Sequence, residues 1–227
     1  MIKISVIVPA LNEEKSLHRT LSNLNITDLE ELIIVDGGSN DRTVSIASEF
    51  TDKVFVTHKG RGHQMNYGAQ KANGNILLFL HADCLLPKEG FELIREKLND
   101  KQVSAGAFFL NIDHPSFRFR IIEKVANLRS RITRIPYGDQ GLFIRKELFE
   151  QIGGFADIPL MEDIEISRRL KKIAKIVFLR TPIKASPRRW LKEGLIYTTL
   201  RDWIVAILYI FLKVSPEKLM KHYKDVR

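Results

Sequence analysis

Short apolar runs alternate with segments of helical apolar spacing through the first hundred residues. The runs are "ISVIV", "ELIIV", "KVFVT" and "NILLFL", and the segments that follow them are "EKSLHRTLSNL", "RTVSIASEF", "HQMNYGAQKA" and "KEGFELIREKL". Buried parallel strands are continuous apolar runs, whereas a helix repeats its apolar positions about every 3.6 residues. Four strand–helix units in succession predict an α/β fold with a mostly parallel sheet and helices on both faces.

The alternation changes after residue 100. "VSAGAFFLNI" and "GLFIRKEL" have the composition of strands, and "SFRFRIIEKVANLRSRI" between them predicts a long basic helix. We therefore expect the second half to extend the sheet and build a lid. Near the end, "GLIYTTLRDWIVAILYIFLKV" predicts a helix with ten consecutive apolar residues at 203–212, too few to span a bilayer.

Polar clusters follow all four predicted strands. They are Asn-Glu at 12–13, Asp-Gly-Gly-Ser at 36–39, Gly-Arg-Gly-His at 60–63 and His-Ala-Asp at 81–83. Ligands of such folds bind beyond the carboxyl ends of the strands, so this rim is the predicted site. For Asp83 a structural alternative stays open, in which it caps a helix that has Pro87 in its first turn.

Composition indicates an ordinary globular protein that forms one large domain or a domain with an appendage. The chain has 227 residues, 44% of them hydrophobic, which is ample for a packed core. "MIKISVIVPALNEE" is a poor signal peptide, so we expect a cytosolic location. Cys84 is the only cysteine, which excludes an internal disulfide and a cysteine-based zinc cluster and predicts a buried thiol. The histidines at 18, 58, 63, 114 and 222 show no metal-ligand spacing.

The net charge of +9 comes from one segment. Residues 168–192 contain ten Lys and Arg and no acid, so the remainder of the chain is close to neutral. A surface formed by this segment would attract the phosphates of nucleotides, nucleic acid or anionic lipid. The alternative is a solvated helix face followed by an exposed basic loop.

A series of motifs resembles a known family. "VIVPALNEE", "ELIIVDGGSNDRT", "KGRGHQMNYGAQKANGNILLFLHAD", "IGGF" and "MEDIEISRRL" occur in the order and at the intervals of the family 2 glycosyltransferases, which adopt the A-type glycosyltransferase fold. "HAD", "PYGDQGLF", "PLMED" and "RRW" are similar to a small bacterial subset. The resemblance implies a Rossmann-like catalytic domain at 1–190, with a nucleotide-sugar half at 1–100 and an acceptor half at 101–190, and a C-terminal helical extension at 191–227.

The resemblance implies transfer of a sugar from a nucleotide diphosphate, a UDP-sugar, to an acceptor hydroxyl. The leaving diphosphate develops negative charge, which a divalent metal or fixed positive groups must stabilise. Asp83 matches the protein ligand for that metal, Mn or Mg. Many relatives have an acid where this chain has His81, so we expect a loosely held metal; the imidazole either suits Mn or donates to a phosphate or ribose oxygen.

The resemblance also assigns the other site residues. On the nucleotide-sugar side it points to Pro9, Glu13, Asp36, Gly38, Arg61, Gln64, Asn66, His81 and Ala82, and on the acceptor side to Gly154, Phe155, Glu162, Arg189 and Trp190. Asp163 matches the base that deprotonates the acceptor, and one base with attack opposite the leaving group predicts inversion. Each of these residues also has a structural alternative. Asp36 could form a turn before two glycines, and Arg61 could lie in an exposed turn. Residues 162–163 could be acids that complement a helix dipole, and residues 189–190 could belong to a basic loop with a core tryptophan.

Two rival functions stay open from the sequence. One is a non-catalytic module that binds anionic membrane or nucleic acid, although converging rim acids would then only repel one another. The other is a nucleotidyltransferase, which lacks the expected Gly-rich loop with Arg and Lys after the first strand. The apolar helix beside the basic segment further suggests peripheral attachment to the inner face of an anionic membrane, with a lipid-linked acceptor and no nucleic acid. A homodimer interface and simple packing of the helix on the domain are the alternatives.

Overall fold

The computed structural model describes residues 2–221, which form one mixed α/β domain around a single sheet. Its strands are β1 Ile4–Ala10, β2 Glu30–Asp36, β3 Val54–Val56, β4 Ile76–Phe79, β5 Cys84–Leu85, β6 Val103–Ile112, β7 Leu142–Arg145 and β8 Lys175–Ala185. Its helices are α1 Leu17–Ser22, α2 Thr43–Ser48, α3 Arg61–Lys71, α4 Gly90–Asn99, α5 Phe117–Thr133, α6 Lys146–Gln151, α7 Glu162–Leu170, α8 Arg188–Glu193, α9 Leu195–Ile210 and α10 Pro216–Met220. A 3-10 turn spans Gly138–Gln140.

The sheet has the strand order β3-β2-β1-β4-β7-β6-β8-β5. The pairs β1/β2, β1/β4, β2/β3 and β6/β8 are parallel, whereas β4/β7, β6/β7 and β5/β8 are antiparallel. The α/β class is therefore confirmed. Because β1, β2 and β4 are parallel neighbours, the segments that follow them meet at one edge of the sheet.

Each face of the sheet is covered by its own apolar cluster. One face packs Val6 and Val8 of β1 against Leu17 of α1 and Ile94 of α4. The opposite face packs Ile7, from the same strand, with residues of α3, α6 and α7. The central strands are buried on both sides, which explains why they are continuous apolar runs in the sequence.

Two predicted boundaries and one capping alternative are corrected. "GLFIRKEL" is a strand only as far as Arg145, because the chain then turns into α6 and Phe149 packs against Phe79 and Phe155. Pro87 lies before α4, which begins at Gly90 and has no side-chain cap. The alternative in which Asp83 caps this helix is therefore wrong.

The basic segment 168–192 contains a strand that the sequence analysis missed. β8 pairs with β6 along its length and carries its Lys and Arg side chains at exposed positions such as Lys175, Arg180 and Lys184. The alternating burial is typical of a strand with one solvated face. The segment is thus spread over α7, β8 and α8 and does not form a single exposed helix face and loop.

The C-terminal helices pack on the second half of the domain. Val205 and Ala206 of α9 form a small cluster with Ile135 and with Ile164 of α7. Within residues 2–221 no helix is both long enough and apolar enough to cross a bilayer. His222 and the rest of the charged tail lie outside the described residues.

Glu31 is a buried carboxylate that ties β2 to its neighbours. It accepts hydrogen bonds from Ser5 Oγ at 2.5 Å and from the amides of Asn73 and Gly74 at 2.5 and 2.9 Å, and it forms an ion pair with Lys53. Burial raises the pKa of Glu31, but Lys53 and the other donors outweigh burial and lower the pKa from 4.5 to about 2.

We expect Glu31 to contribute to acid sensitivity. Because its folded pKa lies below the ordinary value, its stabilising contribution is complete above about pH 4.5 and is lost as the pH falls toward 2. The difference in free energy of unfolding between wild type and Glu31→Gln should therefore decrease by about 2 kcal/mol from about pH 7 to about pH 3. Urea unfolding at both pH values measures this difference, and the exposed Glu49→Gln serves as control. An unchanged difference would contradict the assignment.

Candidate functional site

The predicted rim holds a cluster of opposite charges that centres on Arg188. The Arg188 guanidinium donates to both carboxylate oxygens of Glu13 at 2.5 Å, and its Nε lies 3.1 Å from Asp83 Oδ2. Glu13 follows β1, Asp83 follows β4, and Arg188 begins α8, so residues far apart in sequence meet here. Burial raises the pKa of Asp83, and Arg188 opposes this shift.

Arg188 was missed by the sequence analysis, although its motif was noticed. "SPRRW" was assigned to the site through its second arginine and its tryptophan, but the first arginine contacts the rim acids. A guanidinium in this position is a fixed positive group of the kind that a leaving diphosphate requires. The neighbouring Arg189 forms an ion pair with Asp202 of α9, and Trp190 Nε1 donates to Thr199 Oγ1 at 3.2 Å.

The residues around Asp83 fit a divalent metal. One ligand atom each from His81, Asp83 and Cys84 lie within 4.8 Å of one another. Carboxylate oxygen and imidazole nitrogen are donors that Mn accepts, with nucleotide phosphates completing the coordination. Burial raises the pKa of the Cys84 thiol. Mn and Mg prefer carboxylate oxygen and accept imidazole nitrogen, so Asp83 and His81 would hold the metal.

Asp139 is a second residue that the sequence analysis did not assign. Its Oδ1 is shielded from solvent and has no hydrogen-bond partner among the described residues. Burial raises the pKa of Asp139 to about 6; Asp163 and Asp83 add to the rise, and Arg129 and Arg189 oppose it. The available clue was "PYGDQGLF", in which this acid lies between two glycines. An unpaired acceptor beside Asp83 is a further observation that suits a cation.

Asp163 lies in the first turn of α7. Its Oδ2 accepts the Gly138 amide at 2.7 Å, and its Oδ1 accepts the amide of Ile164 at 2.7 Å. A Cβ added at Gly138 would lie 2.5 Å from His81 Nε2 and 3.6 Å from Asp163 Oδ2, so all three residues are in close contact. The predicted base and the predicted metal site are therefore adjacent.

Arg61 and Glu162 connect the two halves of the site. Arg61 is the first residue of α3, two residues earlier than the predicted helix, and its Nη1 lies 3.1 Å from Glu162 Oε1. Glu162 is buried. Gly62 permits this approach, because a Cβ there would lie 2.6 Å from the Ala156 carbonyl oxygen. The first two positions of α3 thus hold the acceptor-side loop in place.

Asp36 and Gln64 are bound to backbone groups at the ends of β1 and β2. The Asp36 carboxylate accepts the amides of Gly38 and Ser39 at 2.8 and 2.7 Å, which is the turn geometry of the structural alternative. Gly38 has a φ of 88°, a conformation that favours glycine. Gln64 Nε2 donates to the carbonyls of Ala10 and Val35 at 2.9 and 2.8 Å. Gln64 therefore stabilises the backbone at the ends of β1 and β2, which form this part of the rim.

Asn66 holds the acceptor-side loop through two hydrogen bonds to one residue. Its Nδ2 donates to the Phe155 carbonyl at 2.8 Å, and its Oδ1 accepts the Phe155 amide at 2.9 Å. Gly154 precedes this residue with a φ of 67°. Two further predicted site residues lie in or near the core: Pro9 is buried within β1, and the Ala82 carbonyl accepts Thr20 Oγ1 at 2.8 Å.

The fold brings two of the histidines together. His58 and His63, which show no ligand spacing in sequence, stack with ring centroids 3.5 Å apart. One ligand atom of each lies within 4.8 Å of the other and of a carboxylate oxygen of Asp157. The cluster includes His63 of the predicted rim, and Gly60, with a φ of 152°, lies close to Asp157, to which a Cβ at Gly60 would approach within 3.9 Å.

The family model for "Glycosyl transferase family 2" matches residues 5–156. The chain belongs to glycosyl transferase family 2. Among curated relatives, the "Probable glycosyltransferase YdaM" of Bacillus subtilis is 29% identical over 197 residues, covering 74% of this chain and 46% of the relative. The "Dolichol-phosphate mannosyltransferase" of Pyrococcus furiosus is 27% identical over 223 residues, covering 88% of this chain and 62% of the relative. The chain spans less than two thirds of either relative.

Solved structures of glycosyltransferases share the fold. The mannosyltransferase PcManGT from Pyrobaculum calidifontis, in complex with GDP-Man and Mn2+, superposes with a TM-score of 0.71 at 18% identity, covering 94% of this chain and 65% of that chain. TarS 1-349 of S. aureus, in complex with UDP-GlcNAc, gives a TM-score of 0.63 at 19% identity, covering 91% and 67%. The predicted A-type fold is thereby confirmed for this member of the family.

Proposed function

We propose that this family 2 member is an inverting glycosyltransferase that moves a sugar from a UDP-sugar to an acceptor hydroxyl. The observation that carries the proposal is the adjacency of Asp163, His81 and the Asp83–Arg188 pair. A carboxylate base next to a site for a diphosphate is the arrangement that glycosyl transfer from a nucleotide donor requires. The relatives and fold neighbours support the reaction class through their names and their bound nucleotide sugars.

Asp163 acts as the base in this proposal. As the acceptor oxygen forms its bond to the anomeric carbon, its proton passes to the Asp163 carboxylate, and the bond from that carbon to the diphosphate oxygen breaks with its electron pair leaving on the diphosphate. Backbone amides already orient both carboxylate oxygens of Asp163, so the base is preorganised. Attack on the face opposite the leaving group inverts the anomeric centre.

Arg188 stabilises the leaving diphosphate. Its guanidinium is held in place by Glu13 and lies beside Asp83. Asp83 and His81 would hold Mn or Mg, and the metal when bound supplies additional positive charge for the diphosphate. Arg61, at the start of α3, supplies a further cation on the nucleotide side. Glu13 and Asp36 shape the nucleotide side, Glu13 by holding Arg188 and Asp36 by holding the turn at Gly38 and Ser39.

A nucleotide-sugar screen tests this proposal. We expect UDP and one UDP-sugar to raise the melting temperature with Mn or Mg present, and to raise it much less with EDTA. GDP- and CMP-sugars, with the same metals, show whether the base is discriminated. If GDP stabilises the protein and UDP does not, the donor is a GDP-sugar and not a UDP-sugar. If no nucleoside diphosphate gives metal-dependent stabilisation, the proposed function is contradicted.

A further inference from the structure

Two helices beside the site expose rows of large apolar side chains. Those of α5 recur at three- and four-residue spacing along one face: Phe117, Ile121, Val125, Leu128 and Ile132. Those of α9 and the turn after it are Ile196, Tyr197, Leu200, Trp203, Ile204, Ile207, Phe211 and Leu212. Their exposed fractions run from 37% at Trp203 to 74% at Phe211. Scattered exposed apolar residues are common in proteins, but continuous rows on helices mark an interaction surface.

Contacts at both ends of α5 hold it next to the α8–α9 unit. Near its start, the Phe119 ring meets the Trp190 ring edge-on at 6.1 Å, and Trp190 in turn donates to Thr199 of α9. Just past its end, Ile135 shares a buried cluster with Val205 of α9. The helices that carry the two rows are thus linked through Trp190 and through the cluster of Ile135 and Val205. We call the two rows together the α5–α9 face.

The charges on these helices are one-sided. Arg118, Lys124 and Arg131 of α5 are exposed. Within the described residues of α5 and α9 there are two acids, and neither offers an unopposed negative charge. Glu123 is buried against Arg120, and Asp202 is paired with Arg189 and Arg201. The α5–α9 face thus combines apolar side chains with cations alone.

We propose that the α5–α9 face docks on an anionic lipid membrane and that the acceptor hydroxyl is carried by a lipid. Apolar side chains at helical spacing insert between lipid headgroups, while flanking Lys and Arg bind anionic ones. A second copy of the chain fits this face less well, because an isologous interface would bring the α5 cations of one copy toward those of the other.

The face is connected to the proposed base. Val205 of α9 and Ile164 of α7 belong to one buried cluster, and Ile164 directly follows Asp163. Docking would therefore hold the acceptor side of the site at the lipid surface, where a lipid-borne hydroxyl reaches it. The lipid acceptor rests on the proposed function, whereas docking itself does not.

Flotation with vesicles tests docking without donor, metal or turnover. The full chain is mixed with vesicles of phosphatidylcholine alone or of phosphatidylcholine with phosphatidylglycerol. We expect flotation with the anionic vesicles, weaker flotation as salt rises, and little with phosphatidylcholine alone. The double variants Ile204→Glu/Ile207→Glu and Leu128→Glu/Ile132→Glu should each lower vesicle affinity by about 10-fold or more.

The matched control is Ile26→Glu/Val56→Glu. It changes the charge by the same amount at two exposed apolar residues elsewhere, one of them on strand β3 at the far edge of the sheet. This control should float like wild type, and circular dichroism melting shows that all variants fold. Arg118→Gln/Lys124→Gln should weaken flotation and its salt dependence together.

Three results would overturn the proposal. The first is wild-type protein that does not float with anionic vesicles at low salt. The second is an equal loss of vesicle affinity in the face variants and in the control variant. The third is a dimer, detected by sedimentation, that becomes a monomer in the face variants. In the last case the face belongs to a second copy. Stabilisation by UDP and metal is measured in a separate experiment. If it is retained while flotation fails, only the membrane docking is rejected and the proposed glycosyltransferase function is unaffected.

Discussion

Replacing Asp163 with Asn should lower turnover by about 100-fold or more while changing donor affinity little. The amide keeps the shape of the side chain, but it cannot take the acceptor proton. UDP release is measured with a lipid extract or a water-soluble extract as acceptor source, corrected for release without acceptor. Donor hydrolysis by water persists in the variant if the donor site is intact.

Glu165→Gln is the matched control for this base. It removes one negative charge from the same first turn of α7, and Glu165 is paired with Arg169, away from His81. If the acids of this turn served only to complement the helix dipole, the two variants would behave alike. Equal losses of UDP affinity and of rate in Asp163→Asn would instead place Asp163 in nucleotide binding.

The second large effect is expected from Asp83→Ala, which should abolish the metal-dependent part of UDP binding. Asp83 is the one carboxylate of the proposed metal pair, so without it a single imidazole would remain. Calorimetry with UDP, in Mn and in EDTA, measures the difference in affinity between the two conditions. The fold should persist, because Arg188 retains both of its hydrogen bonds to Glu13.

Asp113→Ala is the control for Asp83→Ala. Asp113 also forms an ion pair with an arginine, Arg19 at 2.6 Å, but the pair is exposed and lies outside the rim. Its loss should change neither the melting temperature nor the metal dependence appreciably. Metal-dependent UDP affinity that survives in Asp83→Ala would remove Asp83 from the metal site and leave Arg188 as the principal positive group.

Much of the candidate site could be predicted because parallel topology converts sequence order into spatial order. Once four strand–helix units were recognised, the residues after β1 and β4 had to share one edge, and Glu13 and Asp83 do meet through Arg188. The motif resemblance brought Asp163 to the same place. Gln64 and Asn66 were less predictable, since a motif does not reveal whether an amide contacts a ligand or, as both do, backbone carbonyls.

The sequence by itself determined the α/β class, the rim and the long basic helix α5, because two local periodicities and the apolar runs record burial directly. Only the tertiary structure decided which arginine of "SPRRW" faces the acids, since that pairing joins positions 13, 83 and 188. It also decided that 175–185 is a strand, because this segment reads as a basic stretch in the sequence and its pairing with β6 is a long-range contact. Finally, the α5–α9 face is exposed because no other described part of the chain packs over it, and a local sequence pattern contains no information about such long-range packing.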